Sequence, residues 1–130
     1  MKQKILREYY QIIKSKISQS HFETAMINID KLLYNFPKDE HGYYYKGVCE
    51  FATNNHKNAI KYYNAAIKIN PAYAKAYFNL GVVYYIYRQY DLALINIGKA
   101  LVIFSKQKEL DKKQRCIDAL KLIEKERGAI

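Results

Sequence analysis

The sequence has few of the residues that interrupt regular secondary structure. Only 2 of its 130 residues are Pro and 5 are Gly, whereas half of the residues are hydrophobic. Tight turns in all-β domains and disordered linkers depend on Pro and Gly, so their scarcity argues against both classes. The composition therefore favours an ordered helical chain, with a length suited to one domain.

Long apolar runs are also missing. No window approaches the roughly 18 uncharged apolar residues of a membrane-spanning helix. The N-terminal segment is interrupted by Glu8, Lys14 and Lys16 and contains no small-residue cleavage site. It is therefore not expected to be a secretory signal.

Catalytic and metal-binding patterns are absent as well. The chain has no Gly-rich phosphate loop, no CxxC, no HExxH and no GxSxG. His21, His41 and His56 are isolated, and the carboxylates are scattered singly, whereas a carboxylate mechanism needs a held pair. We therefore expect no enzymatic activity, no metal and no cofactor.

The sequence does contain an internal repeat. Residues 74–104 have the pattern of two amphipathic helices joined by a tight turn. Shifting the chain by 34 residues superimposes this unit on the one before it, and a second shift reaches the first unit. The shift aligns Tyr77 with Tyr43 and Tyr9, and Ala93 with Ala59 and Ala25.

Each unit has an aromatic residue and, sixteen positions on, an Ala; the second and third units have a small residue four positions after the aromatic, and the first and second end with a Pro. This pattern resembles the tetratricopeptide repeat (TPR). The residues that carry the resemblance are Tyr9, Phe22, Ala25 and Pro37 in the first unit, Tyr43, Gly47, Ala59, Tyr63, Ala66 and Pro71 in the second, and Tyr77, Leu80, Gly81, Tyr84, Ala93 and Ala100 in the third.

The resemblance implies an all-α fold, a right-handed superhelical solenoid of three helix-turn-helix hairpins with a seventh, capping helix. We expect a single domain over residues 1–130, with repeats at about 6–39, 40–73 and 74–107 and the cap at about 107–126. The apolar pattern and the turn residues predict helices at about Lys2–Ser18, Phe22–Asn35, Glu40–Thr53, Lys57–Ile69, Ala74–Tyr87 and Asp91–Phe104.

Small residues indicate how each hairpin packs. Gly47 is expected to face Ala59, and Gly81 to face Ala93, so that the helix backbones approach closely. The first unit has Ile13 in place of the Gly, which predicts a wider or tilted hairpin. Asn54 is expected to end its helix in a left-handed conformation.

The two cysteines, Cys49 and Cys116, lie in the second unit and the last helix, with a whole repeat between them. Stacked repeats are about 10 Å apart, and a disulfide needs Cα atoms within about 7 Å. We therefore expect two free thiols and a cytoplasmic location.

The resemblance also implies that the first helix of each hairpin lines a concave groove. Steps of three and four residues along these helices select one face. They predict an aromatic row flanked by cations on one side and apolar residues on the other. The predicted groove residues are Arg7, Tyr10, Lys14, Ile17, His41, Tyr44, Val48, Phe51, Lys75, Phe78, Asn79, Val82 and Tyr85, whereas Tyr9, Tyr43, Tyr63, Tyr77, Tyr84 and Tyr90 are predicted to lie in the core.

Such a groove predicts a protein-protein interaction adaptor that holds a peptide or helix of another protein. Arg7, Lys14 and Lys75 favour an acidic segment or a free carboxylate. Only Lys75 matches the carboxylate-binding residues of the chaperone-binding TPR subgroup, so that particular clamp is not predicted.

Three further hypotheses stay open at this point. The net charge of +10 leaves RNA or single-stranded nucleic acid as a ligand of the groove. A self-associating assembly module is the second hypothesis. The third is a groove that the last helix or a neighbouring copy fills.

Overall fold

The computed structural model describes residues 1–129, and in this range the chain forms seven α-helices and no strand. They are α1 (Lys2–Ser18), α2 (Phe22–Asn35), α3 (Glu40–Ala52), α4 (His56–Ile69), α5 (Ala74–Ile86), α6 (Tyr90–Lys106) and α7 (Leu110–Gly128). The predicted all-α class is confirmed, and α1 and α2 have the predicted bounds. The cap begins three residues later than predicted because residues 107–109 form the preceding turn.

The chain divides into two compact units, residues 1–69 and the part that begins at Asn70. In the first unit, α1, α2 and α3 form a core in which Ile13, Ala25, Ile29, Leu32 and Cys49 are buried. The single domain predicted for residues 1–130 stays a prediction.

The second unit consists of α5, α6 and α7. Its buried core contains Ala93, Ile97, Ala100 and Phe104, together with Cys116 and Ile123 of the last helix. The last helix therefore covers the apolar face of α6, as the predicted capping role requires.

The turns within the three hairpins repeat the same backbone geometry. Ser20, Asn54 and Arg88 are 34 residues apart and have φ values of 61°, 66° and 58°. The following residue in each turn donates its N–H to the carbonyl five residues back, at 2.8, 2.8 and 2.9 Å. These bonds are those of a helix-ending Schellman motif, whose left-handed residue is usually Gly. The left-handed conformation predicted for Asn54 is confirmed.

The first hairpin differs from the other two. Its helices α1 and α2 contact each other less extensively than α3 with α4 or α5 with α6. Ile13, which stands where the other hairpins have Gly, is fully buried. The reduced contact between the two helices agrees with the wider or tilted hairpin predicted for this unit.

The helix pair in the second unit packs most closely at Gly81. A Cβ atom placed on Gly81 would lie 2.5 Å from Cγ1 of Ile97 and 3.1 Å from the carbonyl oxygen of Ala93. The predicted approach of Gly81 to Ala93 is therefore confirmed, and it allows the apolar ridges of α5 and α6 to interlock.

In the first unit the corresponding contact has a different partner. The three atoms nearest to a Cβ on Gly47 would all belong to the ring of Tyr63, the closest at 2.6 Å. Ala59 was expected to be the neighbour of Gly47. Instead, the ring of Tyr63, one turn further along α4, occupies the space that Gly47 leaves by having no side chain.

The prediction of core tyrosines is confirmed for five of the six. Tyr63 is 1% exposed, and Tyr9, Tyr77, Tyr84 and Tyr90 are half-buried and pack against the two cores. Tyr43 is also half-buried, but it belongs to neither core. The hydroxyl groups of the half-buried tyrosines keep the ring ends near the surface, where polar partners are available. Tyr9 accepts a hydrogen bond from the side-chain amide of Asn35 at 3.2 Å, and Tyr43 donates to the carbonyl of Pro37 at 3.0 Å.

Replacing Arg88 tests the cost of the left-handed turn. We expect the free energy of unfolding of the Arg88→Gly variant to be about 1 kcal/mol higher than that of the Arg88→Ala variant, because only Gly avoids the contact between Cβ and the backbone. Both variants lose the same exposed side chain, so the difference isolates the Cβ. Urea unfolding measures it, and an Ala variant as stable as the Gly variant would contradict the assignment.

A second pair of variants tests the close helix approach. Gly81→Ala is expected to lower the free energy of unfolding by about 1–3 kcal/mol, since the added methyl overlaps Ile97 and the backbone of Ala93. Gly98 is the matched control, because a Cβ there has no neighbour within 4 Å. Gly98→Ala is expected to stabilise α6 by about 0.5–1 kcal/mol. Equal effects at the two sites in urea unfolding would show that packing at Gly81 is not tight.

Candidate functional site

A pocket of about 690 Å³ opens between α1 and α3 in the first unit. Its walls are the N-terminal half of α1, the loop after α2 and the start of α3. We call it the α1–α3 pocket, and its lining residues are Lys2, Gln3, Leu6, Arg7, Tyr10, Asn35, Phe36, Pro37, Lys38, Asp39, Glu40 and His41.

Asp39 holds the two walls of the pocket together. It is the N-cap residue of α3, and its Oδ2 accepts a hydrogen bond from the backbone N–H of Gly42 at 2.9 Å. Its Oδ1 accepts a second bond from the hydroxyl of Tyr10, on α1, at 2.5 Å. Burial and this bond to Asp39 raise the pKa of Tyr10 well above its ordinary value. Tyr10 therefore stays a neutral hydrogen-bond donor at physiological pH.

Aromatic rings continue from the pocket along α3. The Tyr10 ring meets His41 edge-on with centroids 5.1 Å apart, and lies 6.1 Å from the ring of Tyr45. Tyr44 lies 5.6 Å from Tyr45 and 6.0 Å from the buried Tyr63. Such edge and tilted contacts are favourable, and they hold each ring in one orientation. The result is a continuous series of rings that is fixed before any ligand binds.

Charge in the pocket is mixed with a small positive excess. Lys2, Arg7 and Lys38 supply three cations, and Asp39 and Glu40 supply two carboxylates. One carboxylate, that of Asp39, already accepts two hydrogen bonds from the protein. The cations are thus the groups at the pocket entrance that are best placed to meet an anionic ligand.

Comparison with known proteins identifies the repeats. A family model described as TPR repeat matches residues 49–85. Tetratricopeptide repeat protein 6 of Homo sapiens is 41% identical over 56 residues, which are 43% of this chain and 11% of that protein. Residues 49–85 are thus similar to a tetratricopeptide repeat, and the seven helices fit three such repeats with a capping helix. The chain spans about a tenth of the length of the human relative.

Solved structures share the fold of this chain at low identity. The Yersinia enterocolitica type III secretion translocator chaperone SycD is 15% identical, with a TM-score of 0.88, and the match covers 98% of this chain and 89% of SycD. SycD in complex with a peptide of the translocator YopD matches with 16% identity, a TM-score of 0.82 and 95% coverage of both chains. The TPR2B domain in the pHsp70 complex of yeast Sti1 is 17% identical, with a TM-score of 0.84, covering 92% of this chain and 96% of that one.

Within the first two repeats, the structure brings three predicted groove residues together. Arg7, Tyr10 and His41 all line the α1–α3 pocket, where Arg7 is exposed and the other two are half-buried. The remaining predicted residues of this unit lie outside the pocket. Tyr44 and Val48 are half-buried, Lys14 is exposed, Ile17 packs against the core, and the Phe51 ring lies 5.2 Å from His56.

In the third repeat, Lys75 is exposed and Phe78, Asn79, Val82 and Tyr85 are half-buried. Phe78 and Tyr85 pack against the core that α5 forms with α6 and α7. It stays a prediction that all thirteen of these residues line one groove.

The end of the capping helix engages one of these predicted groove residues. Tyr85 donates a hydrogen bond to Oε1 of Glu126 at 2.8 Å, and Arg127 forms an ion pair with Asp91, also at 2.8 Å. The bond to Glu126, followed by burial, raises the pKa of Tyr85. The last helix therefore covers part of Tyr85. This contact is the one that the hypothesis of a groove filled by the last helix requires at Tyr85.

Asp39 and Tyr45 are two of the site residues that the sequence did not reveal, and the pocket lining also includes the unpredicted Lys2, Leu6, Phe36 and Lys38. Asp39 precedes a predicted helix start, which is a capping signal, but its bond to Tyr10 joins residues 29 positions apart. Tyr45 lies one position beyond the predicted aromatic row, yet its ring links Tyr10 to Tyr44. Burial, followed by the neighbouring Tyr44, raises the pKa of Tyr45 to about 12.

The described residues offer no metal centre and no activated thiol. Within residues 1–129, no group of three or more His, Cys, Asp or Glu side chains is placed to hold a metal ion. Cys49 and Cys116 are free and buried, and burial raises the pKa of each thiol to about 11. Both therefore stay protonated and weakly nucleophilic near neutral pH. No helix in this part of the chain is long and apolar enough to cross a membrane.

Asp39→Ala tests the link between the two pocket walls. It removes the cap of α3 and the partner of Tyr10, so we expect the free energy of unfolding to fall by about 1–2 kcal/mol. Tyr10→Phe removes only the bond from α1 and is expected to cost about 1 kcal/mol. Because both variants break the same hydrogen bond, the double variant should lower the free energy of unfolding by less than the sum of the two single-variant losses. Fully additive losses in urea unfolding would show that the two residues act independently.

Proposed function

We propose that the chain is a non-enzymatic adaptor that binds a peptide or helical segment of another protein on the face formed by α1 and α3. The observation that carries the proposal is the α1–α3 pocket. It combines exposed cations with aromatic rings whose orientations are fixed by the protein itself. A volume of about 690 Å³ falls within the usual range for ligand pockets and accommodates one or two side chains of a bound segment.

The chemistry of the pocket favours an acidic segment. Arg7, Lys2 and Lys38 attract a carboxylate through charge complementarity. Leu6 and Phe36 supply apolar contact area, while Tyr10 is already oriented by Asp39. A ring that is held in place before binding loses little conformational entropy when a ligand contacts it, and such residues tend to dominate binding energy.

The fold supports the same proposal. SycD and Sti1 share this fold and have been solved with a YopD peptide and in a pHsp70 complex, respectively. In our proposal Lys14, Tyr44, Val48 and Phe51 extend the binding surface along the first unit. The two free thiols support the further proposal of a cytoplasmic location.

Selection from a displayed library of random peptides tests this function. Peptides retained by the full chain are expected to be enriched in Asp and Glu, and Arg7→Glu should weaken their binding at least about tenfold. Lys121→Glu is the matched control, because it makes the same change of charge at an exposed position of α7 outside the pocket. It should change affinity less than about twofold.

Selected peptides without acidic enrichment, bound equally by wild type and by an Arg7→Glu variant of unchanged thermal stability, would remove the α1–α3 pocket as the binding site.

A further inference from the structure

Helix α4 turns a row of lysines toward the solvent. Lys57, Lys61 and Lys68 are exposed, and their spacing of four and seven residues places them on one side of the helix. Asn64, which is also exposed, lies between the last two lysines on the same side. At 1.5 Å per residue, the three lysines extend over about 17 Å of helix. We call these four residues the α4 lysine face.

The charge of the α4 lysine face is not compensated by the helix or by its ion pairs. Residues 51–90 contain no Asp or Glu, so α4 has no carboxylate of its own. Within residues 1–129, none of the three lysines takes part in an ion pair. Lys57 and Lys61 are one turn apart, and like charges at this spacing are unfavourable in a helix. A polyanion bound to this face would relieve their repulsion.

A carboxylate of the neighbouring helix α2 is already neutralised. Asp30 forms an ion pair with the ammonium of Lys46, on α3, at 2.9 Å. The same ammonium lies 4.8 Å from the ring centroid of Tyr62 on α4. Asp30 is therefore close to α4, but its negative charge is balanced by Lys46 and opposes an anionic ligand only weakly.

The α4 lysine face differs from the equivalent surfaces of the other two repeats. At the repeat positions of Lys61 and Lys68, the other second helices carry large hydrophobic side chains that are more than half exposed, and these are Ile27 and Tyr34 in α2 and Ile95 and Val102 in α6. Protein partners bind chiefly through apolar and aromatic anchors, which the α4 lysine face does not contain. This face therefore suits a ligand that is bound by charge and polar donors alone.

The aromatic rings of α4 are not open for stacking with bases. Tyr63 is buried, and the half-buried Tyr62 has the ammonium groups of Lys46 and Lys61 at 4.8 and 5.5 Å from its ring centroid. Single-stranded nucleic acid is bound largely by stacking on exposed rings. Ammonium groups and the side-chain amide of Asn64 are instead donors that contact phosphate oxygens. Among nucleic acids, these features favour a duplex that is held by its backbone.

We propose that the α4 lysine face binds the phosphate backbone of duplex nucleic acid without reading its sequence. Each strand advances by about 3.4 Å per nucleotide along the duplex axis, so the length of the face corresponds to about five nucleotides. Three lysines that neutralise three phosphates release the counterions of those phosphates, and this release drives sequence-independent binding. The activity is additional to the proposed peptide binding, and the face shares no residue with the α1–α3 pocket.

Fluorescence anisotropy of a labelled DNA duplex of mixed sequence, titrated with the full chain, tests the proposal. With three phosphate contacts, the logarithm of the binding constant should fall by at least about 2.7 for each tenfold rise in salt concentration. The triple variant Lys57→Gln, Lys61→Gln, Lys68→Gln should bind at least about tenfold more weakly at about 50 mM salt and should lose about 2.7 from that slope. Its thermal stability should be unchanged or higher, because neighbouring like charges are removed.

A second triple variant is the matched control. Lys4→Gln, Lys121→Gln, Lys125→Gln removes the same net charge from exposed positions of α1 and α7, outside both α4 and the α1–α3 pocket. It should weaken duplex binding by less than about threefold and should change the slope by less than about 0.5.

Three results would overturn the proposal. The first is a wild-type chain that does not bind the duplex at about 20 mM salt, where phosphate contacts are strongest. The second is an equal loss of binding in the two triple variants, which would assign the binding to net charge instead of the α4 lysine face. The third is polyglutamate that binds as tightly as the duplex and is equally sensitive to the α4 variant, which would assign the face to an acidic protein.

Discussion

The close packing of neighbouring helices at glycine positions constrains this chain more than any other contact. At Gly42 a Cβ would lie 2.6 Å from Cδ2 of Leu33, so α3 begins directly against the end of α2. The same glycine donates its N–H to Asp39, which in turn accepts a hydrogen bond from the hydroxyl of Tyr10. Helix packing, the N-cap and the first aromatic ring of the candidate site are therefore connected through three consecutive contacts.

This arrangement gives the first unit two surfaces with different chemistry. The surface formed by α1 and α3 presents rings that are held edge-on by their neighbours, together with exposed cations. The exposed face of α4 presents Lys57, Lys61 and Lys68, which form no ion pair within the described residues, whereas Asp30 on α2 is already paired with Lys46.

Periodicity explains why much of the fold was predictable. A repeat of 34 residues, with apolar residues on one helix face, predicted helix bounds that agree with the structure to within a few residues. The left-handed turn at Asn54 and the contact of Gly81 with Ala93 also followed from local chemistry, since few residues tolerate either environment. These features depend on residues near each other in sequence or on the repeat itself.

The candidate site was less predictable because it depends on the reach of individual side chains. A helical period reports which face a residue occupies, but not how far its ring extends. Tyr63 therefore fills the space expected for Ala59, and Tyr45 links two rings that were expected to form a row by themselves. Asp39 was missed because its role depends on a partner in a different helix.

The central claim is that another protein's segment binds where α1 meets α3. Its most direct test is a titration of ¹⁵N-labelled full chain with an acidic peptide, followed by backbone amide chemical shifts. We expect the largest shifts to fall on the lining of the α1–α3 pocket, including Arg7, Tyr10 and His41. Shifts confined to the amides of α2 and α4, or to those of α6 and α7, would contradict it.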